Sequence, residues 1–359
     1  MRIAIDAREL AGRPTGVGRY LAQIIRAWDE LPGAAAHEFV LCAPEPIDVP
    51  ASRLRMTTSV RPGRGTLWEQ FTLPGLVREA GAHVLFAPAY TGPLRGSVPM
   101  VLTIHDVSFA AHPEWFSWRE GLRRRMLTRL AARRAARVIT VSDFSKREIE
   151  RHLAIDGDRV EVIYSGVTAL RATGAGVERR PLVLYVGSVF NRRHVPELID
   201  AFARVAATRP DVRLEIVGDN RTTPRVDIER LVAASGASDR IRARAYVSDE
   251  ELTALYRQAS AFAFLSDYEG FGFTPLEALA AGVPAVVLDT AVAREIYGPA
   301  AVFIERPEPA QIAAALDRLL FDATERERLL STSVGLLQRY SWSECAHRTL
   351  QVLIACAVS

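Results

Sequence analysis

The sequence predicts an α/β protein built from two doubly wound domains, and two observations support this prediction. Short apolar runs alternate with helical patterns along the whole chain, which is typical of parallel strands joined by crossover helices. The runs fall into two sets, one in each half, and 359 residues are enough for two cores. A hydrophobic content of 49% and a charged content of 24% are those of an ordinary globular protein.

The predicted strands are short apolar runs bounded by turn residues. In the first half we expect them at Arg2–Asp6, Glu38–Ala43, His83–Ala87, Met100–His105, Arg137–Ser142 and Val160–Tyr164. In the second half we expect them at Leu182–Val186, Arg213–Val217, Ile241–Ala245, Phe262–Leu265, Ala285–Leu288 and Ala301–Ile304. Ligands of open parallel sheets bind beyond the carboxyl ends of the strands, so the residues after each run are candidates for a site.

Two further segments complete the organisation. Ser165–Arg180 is rich in Gly, Ala, Thr and Arg without clear periodicity and is predicted to be an interdomain linker. Trp342–Ala357 is amphipathic and is predicted to be a final helix. We therefore expect domains at residues 1–168 and 181–338, followed by a C-terminal segment at 339–359.

Charge and cysteine content narrow the classes of function. The net charge of +3 is too small to indicate nucleic-acid binding, so we expect no nucleic-acid partner. Lys146 is the only lysine, and this dominance of arginine indicates a compositional bias. The three cysteines, Cys42, Cys345 and Cys356, lack metal-ligand spacing and even pairing, which favours a reducing compartment. The start does not resemble a signal peptide and no apolar run approaches the length of about 18 residues that spans a bilayer, so we expect a cytoplasmic protein.

The stretch Ser266–Pro284 is the most informative part of the chain. It places a glycine-rich loop between the apolar run Ala261–Leu265 and a helix start, with Glu269 and Glu277 on either side. Unpaired backbone N–H groups and the helix dipole make such a loop an anion site. Carboxylates are strong acceptors for the hydroxyls of a sugar and a ribose. Phosphate and sugar hydroxyls together indicate a sugar nucleotide.

Glu277 has a second interpretation. Thr274–Glu277 fits a helix capping box, with Thr274 as the N-cap and Pro275 at the first helical position. Glu277 would then accept only backbone donors, and the local pattern does not decide between the two interpretations. Glu269 lies in the loop, where no cap explains it.

A second glycine-containing segment, Arg13–Tyr20, follows the first predicted strand and leads into a helical pattern. Leu21 stands where a dinucleotide fingerprint has its third glycine, so the segment is not that fingerprint. By itself, a tight turn between strand and helix is the more frequent explanation of such a loop.

Two adjacent arginines, Arg192 and Arg193, follow the strand predicted at Leu182–Val186. A planar guanidinium donates paired hydrogen bonds to phosphate, so the pair suits a diphosphate. The alternative is a solvated charge pair at a helix start. That alternative is weakened because positive charge is unfavourable there unless an anion offsets it.

His105 and Asp106 lie at the end of the strand predicted at Met100–His105. A histidine there could serve a reacting sugar or could be a packed strand-end residue, and the residues alone slightly favour the packed residue.

Two other patterns have plain explanations beside their functional ones. Asp156–Asp158 matches the D-x-D pattern of metal-dependent sugar transferases, but it lies in a polar stretch and is predicted to be a turn, so we expect no metal site. Trp118–Arg137 carries many arginines around Leu122, Met126, Leu127 and Leu130. This basic amphipathic helix predicts either a solvated face, which the arginine bias favours, or peripheral contact with anionic lipid.

Over nearly its whole length the chain resembles the retaining GT-B glycosyltransferases of family 4. Glu269 and Glu277, with seven residues between them, match that family's E-x7-E motif. Gly187 followed by Arg192–His194 is similar to its V-G-x4-R-K-N segment. Further similar segments are Asp6–Arg8, Thr15–Tyr20, Thr103–Asp106, Val141–Asp143, Tyr246–Leu252, Gly282–Pro284 and Tyr340–Trp342.

The resemblance implies a GT-B fold, in which two Rossmann-like domains face a cleft. The domain at 1–168 would bind the acceptor, the domain at 181–338 would bind the donor, and 339–359 would cross back to the first domain. The implied reaction is metal-independent and retaining, and needs no cofactor beyond its co-substrate. It moves a hexose-type sugar from GDP-mannose or a UDP- or dTDP-sugar to a hydroxyl of a glycan, lipid-linked or small-molecule acceptor, as in bacterial polysaccharide biosynthesis.

The resemblance also implies four residues that act on the reacting groups. His105 would face the donor sugar near its anomeric carbon. Arg192 and Arg193 would neutralise the leaving diphosphate. Glu269, together with the backbone amides of Gly270–Phe273, would hold the transferred sugar.

The remaining matched residues would bind the substrates. Glu277 would bind the ribose hydroxyls, while Gly16 and Gly18 would let the N-terminal loop approach the diphosphate and the acceptor. The implied donor-binding positions are Gly16, Gly18, Gly187, Gly270, Phe271, Gly272, Phe273, Thr274 and Glu277. The acceptor-side candidates are Arg19, Tyr20 and Asp106.

The chain departs from the family pattern at three places. Arg193 keeps the charge of the usual lysine with a different geometry, and His194 replaces an asparagine. Arg294 stands where a proline is expected, which leaves the base-recognition region open. Two alternative functions remain open: a non-catalytic nucleotide-sugar-binding partner, and a GT-B sugar-nucleotide 2-epimerase or phosphorylase.

Overall fold

The computed structural model describes residues 1–12, 16–49, 52–168 and 179–358. It divides into two compact units, one formed by Met1–Gly166 with Tyr340–Ser359 and the other by Val167–Arg339. Most of the predicted linker, Ser165–Arg180, lies outside the described residues, which omit 169–178.

The first unit is built on a parallel sheet. Its strands are β1 (Arg2–Asp6), β2 (Glu38–Ala43), β3 (Arg55–Val60), β4 (Val84–Ala87), β5 (Met100–Ile104), β6 (Arg137–Thr140) and β7 (Val160–Val162). They lie in the order β3–β2–β1–β4–β5–β6–β7, and neighbouring strands are parallel. Ile3, Ala4 and Ile5 of β1 are fully buried, because parallel sheets are covered on both faces.

Helices cover this sheet on two sides. They are α1 (Gly16–Glu30), α2 (Gly65–Leu67), α3 (Leu73–Glu79), α4 (Ser108–Ala111), α5 (Trp118–Arg134) and α6 (Asp143–Leu153), with a π-helical turn at Trp68–Thr72. Ile3 and Ile5 join a core with α1, whereas Ala4 joins a second core with α3 and α5. Ser142 caps α6, since its hydroxyl accepts a hydrogen bond from the Ser145 N–H at 3.0 Å.

The second unit repeats the same architecture. Its strands are β8 (Leu182–Val186), β9 (Arg213–Val217), β10 (Ile241–Arg244), β11 (Ala261–Phe264), β12 (Ala285–Leu288) and β13 (Ala301–Ile304). They lie in the order β10–β9–β8–β11–β12–β13, again with parallel neighbours. Its helices are α7 (Val195–Thr208), α8 (Ile228–Ala234), α9 (Asp249–Gln258), α10 (Phe273–Ala280), α11 (Ala291–Tyr297), α12 (Pro309–Phe321) and α13 (Ala323–Leu337).

The last helix, α14 (Trp342–Val358), belongs to the first unit. The Trp28 indole N–H donates a hydrogen bond to the Ala346 carbonyl oxygen at 2.8 Å, which joins α1 to α14. Arg348 pairs with Glu161 of the neighbouring sheet at 3.0 Å. The helix also packs into the core of the first unit, since Leu350 and Leu353 belong to the same buried cluster as Trp28.

The prediction of two doubly wound domains is confirmed, and the differences are local. Strand β3 was not predicted, because it is an exposed edge strand whose polar residues break the apolar pattern. Several predicted strands end one or two residues earlier in the structure: β5 stops at Ile104 and β6 at Thr140. The helix predicted over Trp118–Arg137 ends at Arg134.

The Asp156–Asp158 segment forms the predicted turn. Residues Gly157–Arg159 are one turn of 3-10 helix, and the Asp156 carboxylate accepts a hydrogen bond from the Asp158 N–H at 3.0 Å. Among the described residues, no group of three or more His, Cys, Asp or Glu side chains is arranged to hold a metal ion. None of the helices in these ranges combines the length and the apolarity that crossing a bilayer requires.

Truncation of Trp28 tests how α14 is held. Trp28 is fully buried and stacks on Phe39 with ring centroids 5.0 Å apart. We expect Trp28→Ala to lower the free energy of unfolding of the first unit by about 3–5 kcal/mol. Trp28→Phe keeps most of the packing and should cost about 1 kcal/mol for the lost hydrogen bond. Urea unfolding followed by circular dichroism measures both, with Val334→Ala at an exposed position of α13 as the control. Equal losses for the two Trp28 variants would contradict this account.

Candidate functional site

The strand order of the second sheet reverses between β8 and β11. At such a reversal the connections leave neighbouring strands in opposite directions, so that a crevice opens beyond their carboxyl ends. Gly187–Arg193 follows β8, and Leu265–Gly272 follows β11. Two of the segments singled out in the sequence therefore meet where doubly wound sheets bind ligands.

A buried ion pair joins the two segments. The Arg193 Nε and Nη2 atoms lie 2.9 and 2.7 Å from Oε1 of Glu269. The Arg193 Nη1 atom donates to the Ser188 carbonyl oxygen at 2.9 Å, and the guanidinium lies 4.9 Å from the centre of the Phe264 ring. The Arg193 side chain is only 13% exposed, so its orientation is set by these contacts.

Arg193 stays charged although it is buried. Burial by itself would lower the pKa of Arg193, but the Glu269 carboxylate raises that pKa above the ordinary arginine value. Arg193 therefore carries its charge throughout the pH range in which proteins fold. The crevice holds a fixed positive charge next to a fixed carboxylate.

Glu269 keeps one oxygen available. The Ser266 hydroxyl donates to Oε1 at 2.9 Å, and both Arg193 contacts reach the same atom. Within the described residues, none of these donors reaches Oε2. That oxygen can accept a hydrogen bond from a ligand hydroxyl without breaking the ion pair.

Gly187 makes room for Arg193. Its φ of 142° and the position of the Arg193 guanidinium both exclude a side chain, because an added Cβ would lie 2.8 Å from Nη1. The glycine after β8 is thus explained by the close approach of the arginine. This position was predicted as donor-binding, and the structure gives it a direct steric reason to be glycine.

Helix α10 begins earlier than the capping-box interpretation predicts, and that interpretation is wrong. The N-cap is Gly272, with a φ of 86°, rather than Thr274. The buried Tyr297 hydroxyl donates to the Gly272 carbonyl oxygen at 2.9 Å, and an added Cβ on Gly272 would lie 2.0 Å from that hydroxyl. A contact with α11 therefore sets where α10 starts.

This start changes the environment of two predicted residues. Thr274 lies within the first turn of α10, and its buried hydroxyl oxygen has no hydrogen-bond partner among the described residues. Glu277 lies further along α10 and is half-buried, and the Tyr256 hydroxyl donates to its Oε2 at 3.3 Å. Glu277 is consequently not the residue that caps the helix, which favours the ligand-binding interpretation.

Arg192 and His194 flank the buried arginine. The Arg192 guanidinium lies 4.3 Å from the centre of the Phe190 ring. The His194 Nε2 atom lies 2.8 Å from Oδ2 of Asp267, and its Nδ1 atom lies 3.4 Å from Oε1 of Glu197. Burial opposes protonation of His194, but these two carboxylates prevail and raise its pKa to about 9. The positively charged His194 therefore connects the loop after β8 to Asp267 in the loop after β11.

The carboxyl edge of the first sheet carries His105, directly after β5. Its Nε2 atom lies 2.9 Å from the Pro88 carbonyl oxygen, so Nε2 bears the proton and Nδ1 is an acceptor. Tyr20 packs edge-on against the ring at 4.8 Å. Burial lowers the pKa of His105 despite the opposing effects of the Pro88 carbonyl and Asp106. His105 is thus a neutral, oriented imidazole.

The acceptor-side candidates have different surroundings. Asp106 accepts hydrogen bonds at both oxygens, from the Tyr90 hydroxyl and the Ser108 N–H, each at 2.8 Å. Tyr20 is 1% exposed and packs against the His105 ring, whereas Arg19 is exposed. Only Arg19 is presented directly to solvent.

The predicted N-terminal glycine loop is partly helix. Gly16 is the first residue of α1 and Gly18 is buried within its first turn, so both belong to the helix rather than to a loop before it. Residues 13–15 of that segment lie outside the described residues.

A buried cluster of charges at the end of β1 had no assigned role in the sequence. Asp6 is fully buried, and Nη2 of Arg8 lies 3.0 Å from its Oδ2 while also contacting Oε2 of Glu69. The Thr91 hydroxyl donates to the same Glu69 oxygen at 2.6 Å. Burial raises the pKa of Asp6 to about 6, against the opposing charge of Arg8. A strand-end Asp is a detectable signal, but Glu69 lies in a helical pattern that gives no sign of this contact.

Arg294, at the position where the family pattern has proline, forms a surface contact. Its Nε and Nη2 atoms each lie 2.6 Å from a carboxylate oxygen of Asp289, and its guanidinium lies 3.8 Å from the centre of the Phe303 ring. The residues after β12 are therefore held by a paired arginine fork.

Comparison with known protein families gives two adjoining matches. The model for Glycosyltransferase Family 4 matches residues 14–169, and the model for Glycosyl transferases group 1 matches residues 168–332. Together they span both units.

Individual relatives agree with these matches. The MMP alpha-(1->4)-mannosyltransferase of Mycolicibacterium hassiacum is 30% identical over 271 residues, which cover 71% of this chain and 64% of that protein. The O-antigen chain mannosyltransferase B of Escherichia coli is 28% identical over 264 residues, covering 70% and 68%. The matched segment thus spans less than two thirds of the Mycolicibacterium protein.

A solved structure shows the same fold over the full length. Anabaena Alr3699/HepE, in complex with UDP-glucose, superimposes with a TM-score of 0.76 at 20% identity and covers 99% of this chain and 100% of that one. At this level of identity the likeness concerns the fold.

The pH dependence of unfolding tests the His194 contacts. Its pKa is about 9 in the fold, above the ordinary value of 6.5, so its charged form stabilises the second unit fully below about pH 6.5. This stabilisation is lost as the pH rises through about 9. We therefore expect the Tm advantage of the wild type over His194→Asn, measured by calorimetry, to shrink across that window. A Tm difference that stays constant would show that the contacts do not hold a charged imidazole.

Proposed function

Since the chain belongs to the group 1 glycosyltransferases of the GT-B fold, we propose that it transfers a hexose-type sugar from a nucleotide-diphospho-sugar to an acceptor hydroxyl, with retention of anomeric configuration. The second unit binds the donor and the first unit binds the acceptor. The donor is GDP-mannose or a UDP- or dTDP-sugar. Two relatives are mannosyltransferases, which favours mannose as the transferred sugar. The UDP-glucose bound to Alr3699/HepE makes UDP-glucose the next candidate.

The observation that supports this proposal best is the ion pair of Arg193 with Glu269 at the strand-order reversal. It fixes a positive charge and an acceptor oxygen side by side, a short distance from the start of α10. A sugar diphosphate needs both, because its phosphates are anionic and its sugar carries hydroxyl donors. Helix starts add unpaired N–H groups suited to phosphate.

The proposed mechanism follows from how charge develops during the transfer. As the bond between the anomeric carbon and phosphate breaks, positive charge grows on the sugar and negative charge grows on the diphosphate. Arg192 and Arg193 would stabilise the leaving diphosphate, which a metal-independent reaction requires. Glu269 would accept a sugar hydroxyl at Oε2 and so orient the anomeric carbon. Groups fixed before the reaction stabilise such charge without reorganisation.

In the first unit, His105 would contact a sugar hydroxyl. His105 is neutral and oriented, so its Nδ1 can accept a hydrogen bond from a sugar hydroxyl but cannot act as a permanent cation. The acceptor would be a glycan, a lipid-linked saccharide or a small molecule. A lipid-linked acceptor would bring the protein to the cytoplasmic face of a membrane, where the region of α5 would make the peripheral contact.

Donor binding is the first test. We expect one nucleotide sugar from a panel of UDP-, GDP-, dTDP- and ADP-sugars to bind in calorimetry, and Glu277→Ala to weaken it at least tenfold because ribose hydroxyls lose their acceptor. Tyr256→Phe removes only the neighbouring hydroxyl and should weaken binding less. If Glu277→Ala binds the donor as tightly as the wild type does, Glu277 is not part of the donor site.

Turnover tests the arginines. We expect Arg192→Ala to lower kcat by on the order of 10²–10³ with little change in the unfolding midpoint, since the loss is felt as charge develops on the diphosphate. Arg192→Lys should recover part of the rate. Undiminished turnover in Arg192→Ala would overturn the assigned role. Product analysis with and without acceptor separates transfer from epimerisation or phosphorolysis.

A further inference from the structure

Helix α5 exposes most of its large apolar side chains, with Leu127 half-buried, and buries its small ones. Trp118, Leu122, Met126 and Leu130 follow one another at four-residue spacing on one side of the helix, and they are 73%, 49%, 53% and 41% exposed. The side that packs on the first unit consists of Gly121, Thr128, Ala131 and Ala132. The exposed large apolar side chains of this helix are therefore not packed in the core of the first unit.

A second exposed apolar segment lies beside α5. Leu67 is 72% exposed and Phe71 is 77% exposed, at the end of α2 and in the π-helical turn. Nη1 of Arg123 in α5 donates to the Thr66 hydroxyl at 3.1 Å, which places the two segments side by side. Of the eleven large apolar side chains that are strongly exposed in the described chain, six lie here. We call Gly65–Thr72 with α5 the apolar–basic face.

The same face concentrates positive charge. Helix α5 contains seven arginines and one glutamate, a net charge of +6, whereas the whole chain carries +3. The rest of the chain is therefore net negative, and the arginine-rich composition alone does not explain this helix. Arg119, Arg123, Arg125, Arg129 and Arg133 are exposed, and Glu120 is paired with Arg124.

We infer that the apolar–basic face binds the surface of an anionic lipid bilayer. Large apolar side chains flanked by arginines suit the boundary between headgroups and acyl chains, where the arginines meet lipid phosphates. A second copy of the chain is disfavoured as the partner, because two faces of this charge repel each other. The inference names the surface at which the proposed transferase would meet a lipid-linked acceptor, but lipid binding itself does not require transfer activity.

Sedimentation with vesicles tests the inference. We expect the full chain to bind vesicles of phosphatidylcholine with phosphatidylglycerol at low salt, and to bind phosphatidylcholine alone much more weakly. High salt should weaken the binding, because it screens the arginines. Replacing Arg119, Arg125 and Arg129 by Gln should lower the partition coefficient about 100-fold, since each arginine near an anionic surface contributes a factor of about five.

Apolar variants separate the two segments. Trp118→Ala with Leu122→Ala should weaken binding at least tenfold, and Leu67→Ser with Phe71→Ser should also weaken it. The matched control, Tyr246→Ala with Phe321→Ala, removes exposed apolar side chains of the second unit and should leave binding unchanged. All these side chains are exposed, so circular dichroism should show folded variants.

Three results would overturn the inference. Binding that is absent at low salt excludes the bilayer as the partner. Binding that survives both the arginine and the α5 apolar variants places the contact elsewhere. Concentration-dependent dimerisation that the α5 apolar variant abolishes identifies the face as a contact between copies of the chain. Donor binding measured on the same variants should equal that of the wild type, so a failure here leaves the proposed transfer reaction standing.

Discussion

The ion pair of Arg193 with Glu269 is the interaction on which the candidate site of the second unit depends. The pair spans the strand-order reversal, so it fixes the position of the loop after β8 relative to the loop after β11. Breaking a buried pair leaves a buried charge without its partner, which costs about 3–5 kcal/mol, so each residue constrains the other. The absence of a side chain at Gly187 and the ring of Phe264 shape the space that the guanidinium fills. The charges of this candidate site are consequently held in place by contacts within the protein itself.

The carboxyl edge of the first unit's sheet carries a neutral histidine, His105. His105 is kept neutral by burial and is oriented by the Pro88 carbonyl and the Tyr20 ring, so hydrogen-bonding direction rather than charge is what it offers. The nearby charges of Asp6, Arg8 and Glu69 are engaged with each other. A charged diphosphate suits the edge of the second sheet, and a polar but uncharged hydroxyl suits His105.

Helix α5 shows that an amphipathic pattern does not reveal which side faces the core. Its small residues pack closely on the sheet, since Gly, Ala and Thr let the helix backbone approach. Most of its large apolar residues are exposed to solvent together with the arginines. The sequence pattern left two alternatives, a solvated face, which it favoured, and a lipid contact. The exposure of Trp118 and Met126, together with the neighbouring Phe71, favours the lipid contact.

From the sequence alone, the two doubly wound domains and the segments at the ends of β5, β8 and β11 could be predicted, because apolar periodicity and glycine placement are local signals. Strand β3 escaped prediction, since an exposed edge strand need not be apolar. The start of α10 was misplaced because the Tyr297 hydroxyl, from a different helix, holds Gly272 as the N-cap. The contacts of Arg193 with Glu269 and of Arg8 with Glu69 join residues far apart in the chain. Such pairings arise only when the strand order brings separate loops together, so the tertiary structure alone decided them.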